Sequence, residues 1–175
     1  GSIARELPDT HGMGNAFSFP QPSDADPMRQ AANNSDTVLI IGGGYIGLEV
    51  AASLRKKGMT VTVIEAAERI LARVASEPLA DRLTKLHEDN GVQLLTGVGV
   101  DSINAEDGIF DSVTLTSGQK IVGDMLITGI GVFPDSKLAA EAGIETQRKD
   151  GGAILVDETM KTSEKDVFAV GDVAL

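Results

Sequence analysis

At residues 37–47 the chain reads TVLIIGGGYIG, and this stretch decides the fold. Its first part, Thr37–Ile41, favours β-structure and is apolar after the threonine, as expected for a strand buried on both faces of a sheet. Glycines end that strand, and the pattern from Gly44 to about Lys57 predicts a helix. A second buried strand, VTVIE, is predicted at residues 61–65. The sequence therefore predicts a β-α-β unit with a short crossover and two parallel strands.

The three glycines of this unit follow the pattern of a dinucleotide-binding loop, Gly-x-Gly-x-x-Gly. Gly42 allows a tight turn, and Gly44 has no Cβ that would keep a pyrophosphate away from the backbone. Gly47 lets the helix lie close to the sheet. The N-terminus of the helix offers free N–H groups and a positive dipole to phosphate oxygens. The loop therefore predicts a bound dinucleotide.

An acidic residue, Glu65, ends the second strand 23 residues after Gly42. At this position a carboxylate accepts hydrogen bonds from the adenosine ribose hydroxyls. It also repels a 2'-phosphate, by about 4 kcal/mol for unit charges about 4 Å apart at an effective dielectric near 20, which favours NAD over NADP. Arg69 and Arg73 leave two interpretations open: they neutralise a phosphate, or they belong to a solvated or ion-paired helix face.

The rest of the chain predicts an α/β protein with an antiparallel excursion. Residues 1–35 are irregular, apart from a short helix capped by Ser23 and ending near Ala32. A helix near Pro78–Asn90 places Leu79, Leu83 and Leu86 on one face. Strands are predicted at residues 92–95, 98–103, 109–116, 125–128, 154–156 and 167–170, and a further helix at 137–142. The predicted fold class is a Rossmann-like three-layer α/β domain with a central parallel sheet and an antiparallel β-meander.

Composition excludes several classes of function. The chain has 15 basic and 26 acidic residues, a net charge of −11, which disfavours nucleic acid as a partner. It has no cysteine, and His11 and His87 are far apart, so no metal site is expected. Without an apolar stretch of the roughly 18 residues that span a bilayer, and without a signal-like N-terminus, we expect a soluble, cytoplasmic protein and no membrane partner. The pattern does not indicate an oligomeric state.

Four motifs, in the same order, resemble those of FAD-dependent ferredoxin and putidaredoxin-type (rubredoxin) reductases. These enzymes form a branch of the pyridine nucleotide-disulfide oxidoreductase superfamily. The motifs are IGGGYIGLE at residues 41–49, EAAERILAR at 65–73, GIGVFP at 129–134, and TS through DVFAVGD at 162–172. Two departures occur: Asp135 stands where the family usually has Asn, and Val173 stands where Cys often follows Gly-Asp.

The resemblance implies a domain organisation. The family has an FAD domain split around an NAD domain, followed by a C-terminal domain. Residues 1–35 would be an irregular N-terminal segment, 36–128 the NAD(H)-binding domain, and 129–175 a partial return segment of the FAD-binding domain. Neither the first FAD glycine fingerprint nor the C-terminal domain is in this sequence, so we expect a fragment of a longer protein.

The resemblance also implies roles for individual residues. Glu49 corresponds to a family glutamate near the nicotinamide and is the candidate catalytic residue. The loop Gly129–Gly131 would pass close to the nicotinamide, and Gly171 with Asp172 would contact FAD. The candidate cofactor-binding residues are Gly42, Gly44, Tyr45, Ile46, Gly47, Glu65, Arg69, Arg73, Gly129, Ile130, Gly131, Gly171 and Asp172.

The implied activity of the full-length protein is hydride transfer from NADH to FAD, followed by electron transfer to a ferredoxin-like iron–sulfur protein. The fragment alone is expected to bind NAD(H) at best, not to retain FAD tightly, and so to be inactive. Two alternatives stay open: a fragment of a disulfide reductase or NADH oxidase of the same superfamily, and a non-catalytic NAD-binding module. A short-chain dehydrogenase is excluded, because it needs a catalytic tyrosine and the only tyrosine is Tyr45, inside the phosphate loop.

Overall fold

The computed structural model of the protein describes residues 1–18, 22–148 and 151–175. The helices are α1 (Pro22–Ala32), α2 (Tyr45–Lys56), α3 (Glu77–Asp89) and α4 (Lys137–Glu141), with 3-10 turns at Pro8–Thr10 and Gly171–Val173. The strands are β1 (Ser2–Ala4), β2 (Ala16–Ser18), β3 (Thr37–Ile41), β4 (Thr60–Ile64), β5 (Val92–Leu95), β6 (Val100–Glu106), β7 (Ile109–Leu115), β8 (Lys120–Val122), β9 (Met125–Thr128), β10 (Val132–Pro134), β11 (Thr146–Arg148) and β12 (Gly151–Ile154).

Two compact units divide the chain. The first unit is Glu6–Gly131, and the second unit combines Gly1–Arg5 with Val132–Leu175. The first unit contains a five-stranded sheet of order β2-β9-β3-β4-β5, in which every neighbouring pair is parallel. Because parallel strands run in the same direction, their carboxyl ends meet at one edge of this sheet. Identification of the two units with NAD- and FAD-binding domains stays a prediction.

Both faces of the parallel sheet are covered, which explains why its strands are apolar at consecutive positions. On one face α1 and α2 pack against alternate strand residues, among them Val38, Ile40 and Val63. On the other face the intervening residues, such as Leu39 and Ile64, pack against the antiparallel sheet β6-β7-β8. The predicted α/β class, with a central parallel sheet and an antiparallel meander, is confirmed.

The N-terminal region and the tail differ from the sequence prediction. Residues 1–18 are not irregular, because they hold β1 and β2, which pair with β10 and β9 far along the chain. The predicted strand at residues 167–170 was wrong: Phe168 makes one isolated bridge to Lys161, and Met160 and Asp166 close to these two residues have left-handed backbone conformations. The strand predicted at 154–156 lies earlier, since β12 ends at Ile154. Helix α1 begins at Pro22, and the side chain of the predicted cap Ser23 lies outside the described part of the structure.

The second unit has a small core. It consists of the antiparallel pairs β1-β10 and β11-β12, with α4 and the 3-10 turn at its end. Its buried apolar residues are Ala153, Ile154 and Ala169.

The helices in the described part of the chain differ from a membrane span in length or hydropathy. None of them is both long and apolar enough to form one.

Candidate dinucleotide-binding site

The glycine loop joins the carboxyl end of β3 to the start of α2, at the edge where the parallel strands end. Gly42 has φ +111°, a left-handed conformation, and its N–H donates to the carbonyl of Ile64 at 2.8 Å. A Cβ at Gly42 would lie 2.4 Å from the carbonyl oxygen of Gly129. Only glycine therefore fits this tight turn, where two backbone segments meet.

Gly47 and Gly44 differ in what surrounds them. A Cβ at Gly47 would lie 2.0 Å from the carbonyl oxygen of Gly42, so α2 can pack on the loop only with glycine there. A Cβ at Gly44 would meet no atom within 4 Å. Gly44 is the N-cap of α2 and has no side chain to accept bonds from the first-turn N–H groups. The loop thus leaves open space beside a helix N-terminus.

Glu65 follows β4 directly and lies against the loop. One carboxylate oxygen, Oε2, accepts from the N–H of Gly43 at 2.7 Å, and the other, Oε1, accepts from the N–H of Ala67 at 2.8 Å. The residue is half-buried. Each oxygen keeps a further acceptor position, so the carboxylate is held in place and can still accept from a hydroxyl.

The two arginines after Glu65 lie in an irregular turn, so the interpretation that placed them on a helix face was wrong. Arg69 is half-buried and donates to the backbone carbonyls of Ile70, Ala72 and Ala75, at 3.5, 3.2 and 3.0 Å. Arg73 is exposed. The guanidinium of Arg69 is therefore occupied within its own turn.

The first turns of α2 present side chains to solvent next to the loop. Tyr45 is 59 % exposed, and Ile46 is also exposed. Glu49 is exposed and lies one helical turn after Tyr45, so the two side chains are neighbours on the helix surface. These residues follow the loop directly in the chain and lie beside it. The role of Glu49 at the nicotinamide stays a prediction.

The loop after β9 borders the glycine loop. The N–H of Gly129 donates to the carbonyl of Ile41 at 2.8 Å, and Gly131 has φ +103°. Ile130 packs partly against the core beneath the meander. The segment lies against Gly42, and its predicted role beside the nicotinamide stays a prediction.

Gly171 and Asp172 lie in the second unit. Gly171 has φ +77° and opens the final 3-10 turn. The carboxylate of Asp172 accepts from the hydroxyl of Ser2 at 3.2 Å, in an exposed position. The predicted residues therefore form two sets: one around the glycine loop and one at this turn.

Sequence reasoning missed two residues at the loop, Gly43 and Leu71. The carbonyl of Gly43 accepts from the N–H of Leu71 at 2.9 Å, and Leu71 has φ +53° with a buried side chain. Three consecutive glycines were a signal for the importance of Gly43. No sequence pattern indicates the left-handed conformation of Leu71.

A cavity of about 580 Å³ lies elsewhere in the first unit, between the C-terminal ends of α2 and α3. Arg55, Leu86, His87 and Val92 are among its lining residues, and burial lowers the pKa of His87. Helix α2 has 12 residues, a length of about 18 Å, so this cavity is far from the glycine loop. Among the described residues no group of three or more His, Asp or Glu could share a metal ion.

A parallel sheet with a glycine loop and an acidic residue at its carboxyl edge defines a dinucleotide-binding α/β protein of the Rossmann type. The chain belongs to the pyridine nucleotide-disulphide oxidoreductase family, whose match spans residues 1–175. The predicted family and the oxidoreductase class are thus confirmed.

Curated relatives and a solved structure agree with this assignment. The chain is 40 % identical to the 3-phenylpropionate/cinnamic acid dioxygenase ferredoxin–NAD(+) reductase component of Photorhabdus laumondii, over 100 % of this chain and 43 % of the relative. It is 39 % identical to rubredoxin-NAD(+) reductase of Pseudomonas putida, over 87 % of this chain and 38 % of that protein. The structure of the covalent putidaredoxin reductase–putidaredoxin complex matches with a TM-score of 0.89 and 34 % identity, over 99 % of this chain and 42 % of the reductase-complex chain. The chain thus spans about two fifths of the length of these relatives.

Proposed function

We propose that this chain is the NAD(H)-binding part of a flavoprotein reductase. The whole protein would take hydride from NADH onto FAD and pass electrons to a ferredoxin-type iron–sulfur protein. The observation that carries this proposal is the open space at Gly44 beside the α2 N-terminus, together with the carboxylate of Glu65 held on the neighbouring residue Gly43. The ferredoxin- and rubredoxin-reductase names of the relatives support the direction of electron flow.

The loop fits a pyrophosphate. Phosphate oxygens beside Gly44 would accept from the first-turn N–H groups of α2, where the helix dipole favours negative charge. The lack of any atom within 4 Å of a Cβ position at Gly44 provides the room. At Gly42 and Gly47 backbone segments approach each other closely, so the fold itself holds the shape of the loop.

Glu65 fits the adenosine ribose of NAD rather than NADP. Its carboxylate would accept from the ribose hydroxyls with the positions that Gly43 and Ala67 leave free. A 2'-phosphate would stand against the same negative charge, an unfavourable interaction of about 4 kcal/mol at about 4 Å and a dielectric near 20. Arg69 would need to leave three carbonyls to offset that charge. We therefore propose NAD(H) as the nucleotide.

The nicotinamide end of the site would be formed by Tyr45, Ile46 and Glu49 of α2 and by Gly129–Gly131. The carboxylate of Glu49 is exposed and able to accept from the carboxamide N–H₂. The exposed side chains of Tyr45 and Ile46 would cover the ring and exclude water from it. When bound, the nicotinamide and the flavin supply the hydride-transfer chemistry, and this chain supplies position and electrostatics.

The flavin side would use the second unit. Asp172 is an exposed acceptor that already meets one hydroxyl, that of Ser2, and Gly171 permits close approach of backbone. These features suit a polyol chain. We propose that the chain alone binds NAD(H), does not hold FAD tightly, and has no reductase activity.

A calorimetric titration of the 175-residue chain with NADH and NADPH tests the nucleotide assignment. NADH is expected to bind more tightly, and Glu65→Gln is expected to reduce or abolish that preference, because it removes the charge and keeps one carbonyl acceptor. Glu68→Gln is the matched control, an exposed acid in the same turn. Equal affinity for the two nucleotides, or none at millimolar concentration, would contradict the proposal.

A further inference from the structure

The central glycine of the loop, Gly43, is held from both sides by the segment that follows β4. Its N–H donates to Glu65 Oε2 at 2.7 Å, and its carbonyl accepts from the N–H of Leu71 at 2.9 Å. A Cβ here would also lie 3.1 Å from the side chains of Glu65 and Ile70. The conformation of the glycine loop therefore depends on the segment Glu65–Leu71.

That segment contains a conformation that side-chain-bearing residues rarely adopt. Leu71 has φ +53°, which costs an L-residue about 1–2 kcal/mol. The N–H groups of Val74 and Ala75 both donate to the carbonyl of Leu71 at 3.0 Å. The side chain of Leu71 is buried with Ile70 against α2 and α3. Such a conformation persists only where the surrounding structure fixes it.

Arg69 supplies much of this fixation. Its Nη2 donates to the carbonyls of Ala72 and Ala75, and its Nη1 makes a longer, weaker bond to Ile70. The guanidinium is a planar fork of five N–H donors, so one side chain can hold several carbonyls of a turn at once. Arg69 thus closes the turn Ile70–Ala75 around Leu71.

We propose that Arg69 is a positioning residue of the NAD(H) site and not a ligand of the nucleotide. This inference rests on the proposed function of the glycine loop. Arg69 acts through the turn Ile70–Ala75 on Leu71, and through Leu71 on Gly43. Three of the five guanidinium donors are engaged by carbonyls of the turn, so a 2'-phosphate would compete with these bonds. In this proposal Arg69 therefore does not set the choice between NAD and NADP.

The positioning role has a distinct consequence for the two nucleotides. NADH and NADPH share the pyrophosphate that rests on the glycine loop, so loosening the loop weakens both by the same factor. The preference between them depends on the charge of Glu65, which Arg69 does not contact among the bonds observed. If Arg69 instead bound the 2'-phosphate, its replacement would weaken the binding of NADPH alone.

The experiment compares wild type with Arg69→Met, Arg69→Lys and the control Arg82→Met, which removes an exposed arginine charge from α3. Amide hydrogen exchange by NMR, without nucleotide, measures protection of Gly43 and Leu71. We expect exchange at both amides to rise about tenfold in Arg69→Met and to stay unchanged in Arg82→Met. Calorimetry then measures both nucleotides, and Arg69→Met should weaken each about tenfold with their ratio unchanged.

Arg69→Lys keeps the charge and the aliphatic stem but has no planar fork, so it should change exchange and affinity in the same direction as Arg69→Met, by a smaller factor, if position matters. It also serves as the milder variant if Arg69→Met does not fold. Unchanged exchange at Gly43, or a loss confined to NADPH, would overturn the inference. Wild-type protein that binds neither nucleotide would overturn the proposed site, and the exchange measurement would still decide whether Arg69 holds the turn.

Discussion

The two units of the molecule differ in how completely they bury their apolar side chains. The largest fully buried side chains, among them Val38, Leu126 and Ile127, all belong to the first unit. Exposed large apolar side chains occur in both units, but the second unit has few buried ones beside them; Leu138 is 81 % exposed, and Phe168, Val170 and Leu175 are also exposed. The predicted dinucleotide loop is therefore supported by a large buried core, whereas Gly171 and Asp172 belong to a unit with a small one.

The largest effect should come from a matched pair of phenylalanines, one in each unit. Phe110 is 2 % exposed in the core of the first unit, and Phe168 is 58 % exposed in the second. Phe110→Ala is expected to lower the free energy of unfolding by about 3–5 kcal/mol, through lost burial and a cavity. Phe168→Ala should change it by less than about 0.5 kcal/mol. Urea unfolding checks both; similar costs would remove the distinction between the units.

A second pair sharpens the comparison within the first unit, by separating glycines that the fold needs from one that the ligand needs. Gly47→Ala should lower the free energy of unfolding by about 2 kcal/mol, because the added Cβ would clash with the Gly42 carbonyl. The cost of this clash is larger than the roughly 1 kcal/mol that alanine gains over glycine in a helix. Gly44→Ala should cost less than about 1 kcal/mol but weaken NADH at least about tenfold by filling the pyrophosphate space. Thermal unfolding and calorimetry measure the two quantities. A Gly44→Ala protein with wild-type NADH affinity would contradict the placement of the pyrophosphate.

The smallest expected effect concerns two aspartates, one in each unit. Hydrogen bonds from the Thr37 hydroxyl and N–H and from the Asp36 N–H lower the pKa of Asp124, and they join the starts of β3 and β9. Asp124→Asn should cost about 1 kcal/mol at pH 7, a low value because the carboxylate is exposed and screened.

The pH dependence follows from the direction of that shift. Because the folded pKa of Asp124 is lowered, its stabilisation is present above the ordinary value of 3.8 and is lost as the pH falls through the folded pKa. Urea unfolding from pH 7 down to pH 3 should show the gap between wild type and Asp124→Asn narrowing. Asp157 of the second unit, whose pKa is lowered first by the Thr159 hydroxyl, is the control; its partners lie within four residues, so Asp157→Asn should have a smaller effect. A gap that widens at low pH would contradict the assignment.

Sequence patterns predicted the parts of the fold that depend on local information. The strands at residues 37–41, 92–95 and 125–128 were predicted with the bounds that the structure has, because each is a short run rich in apolar residues. The glycine loop and Glu65 were predictable for the same reason, since the motif lies within one β-α-β unit. Strands β1 and β2 were missed, because each has three residues and pairs with a strand more than 100 residues away.

Helix α3 shows the limit of periodicity. Leu79, Leu83 and Leu86 were predicted to share a face, but Leu79 and Leu86 are exposed and Ala80 is the fully buried residue. The spacing of apolar residues predicts which side chains share a helix face, but it does not predict how much of that face neighbouring elements bury. Arg69 is a similar case. Its spacing from Glu65 suits a residue that binds a phosphate and equally a residue that stabilises a turn. The two roles are distinguished by the backbone carbonyls to which Arg69 donates.

The position of Tyr45 gives the protein a built-in optical probe. The sequence has no tryptophan and one tyrosine, and that tyrosine is the first residue of α2, exposed beside the glycine loop. Near-ultraviolet emission above the weak background of phenylalanine therefore comes from a single phenol at the opening of this helix. The fluorescence of the unlabelled chain is a local signal, and it reports on that one turn rather than on an average over the molecule.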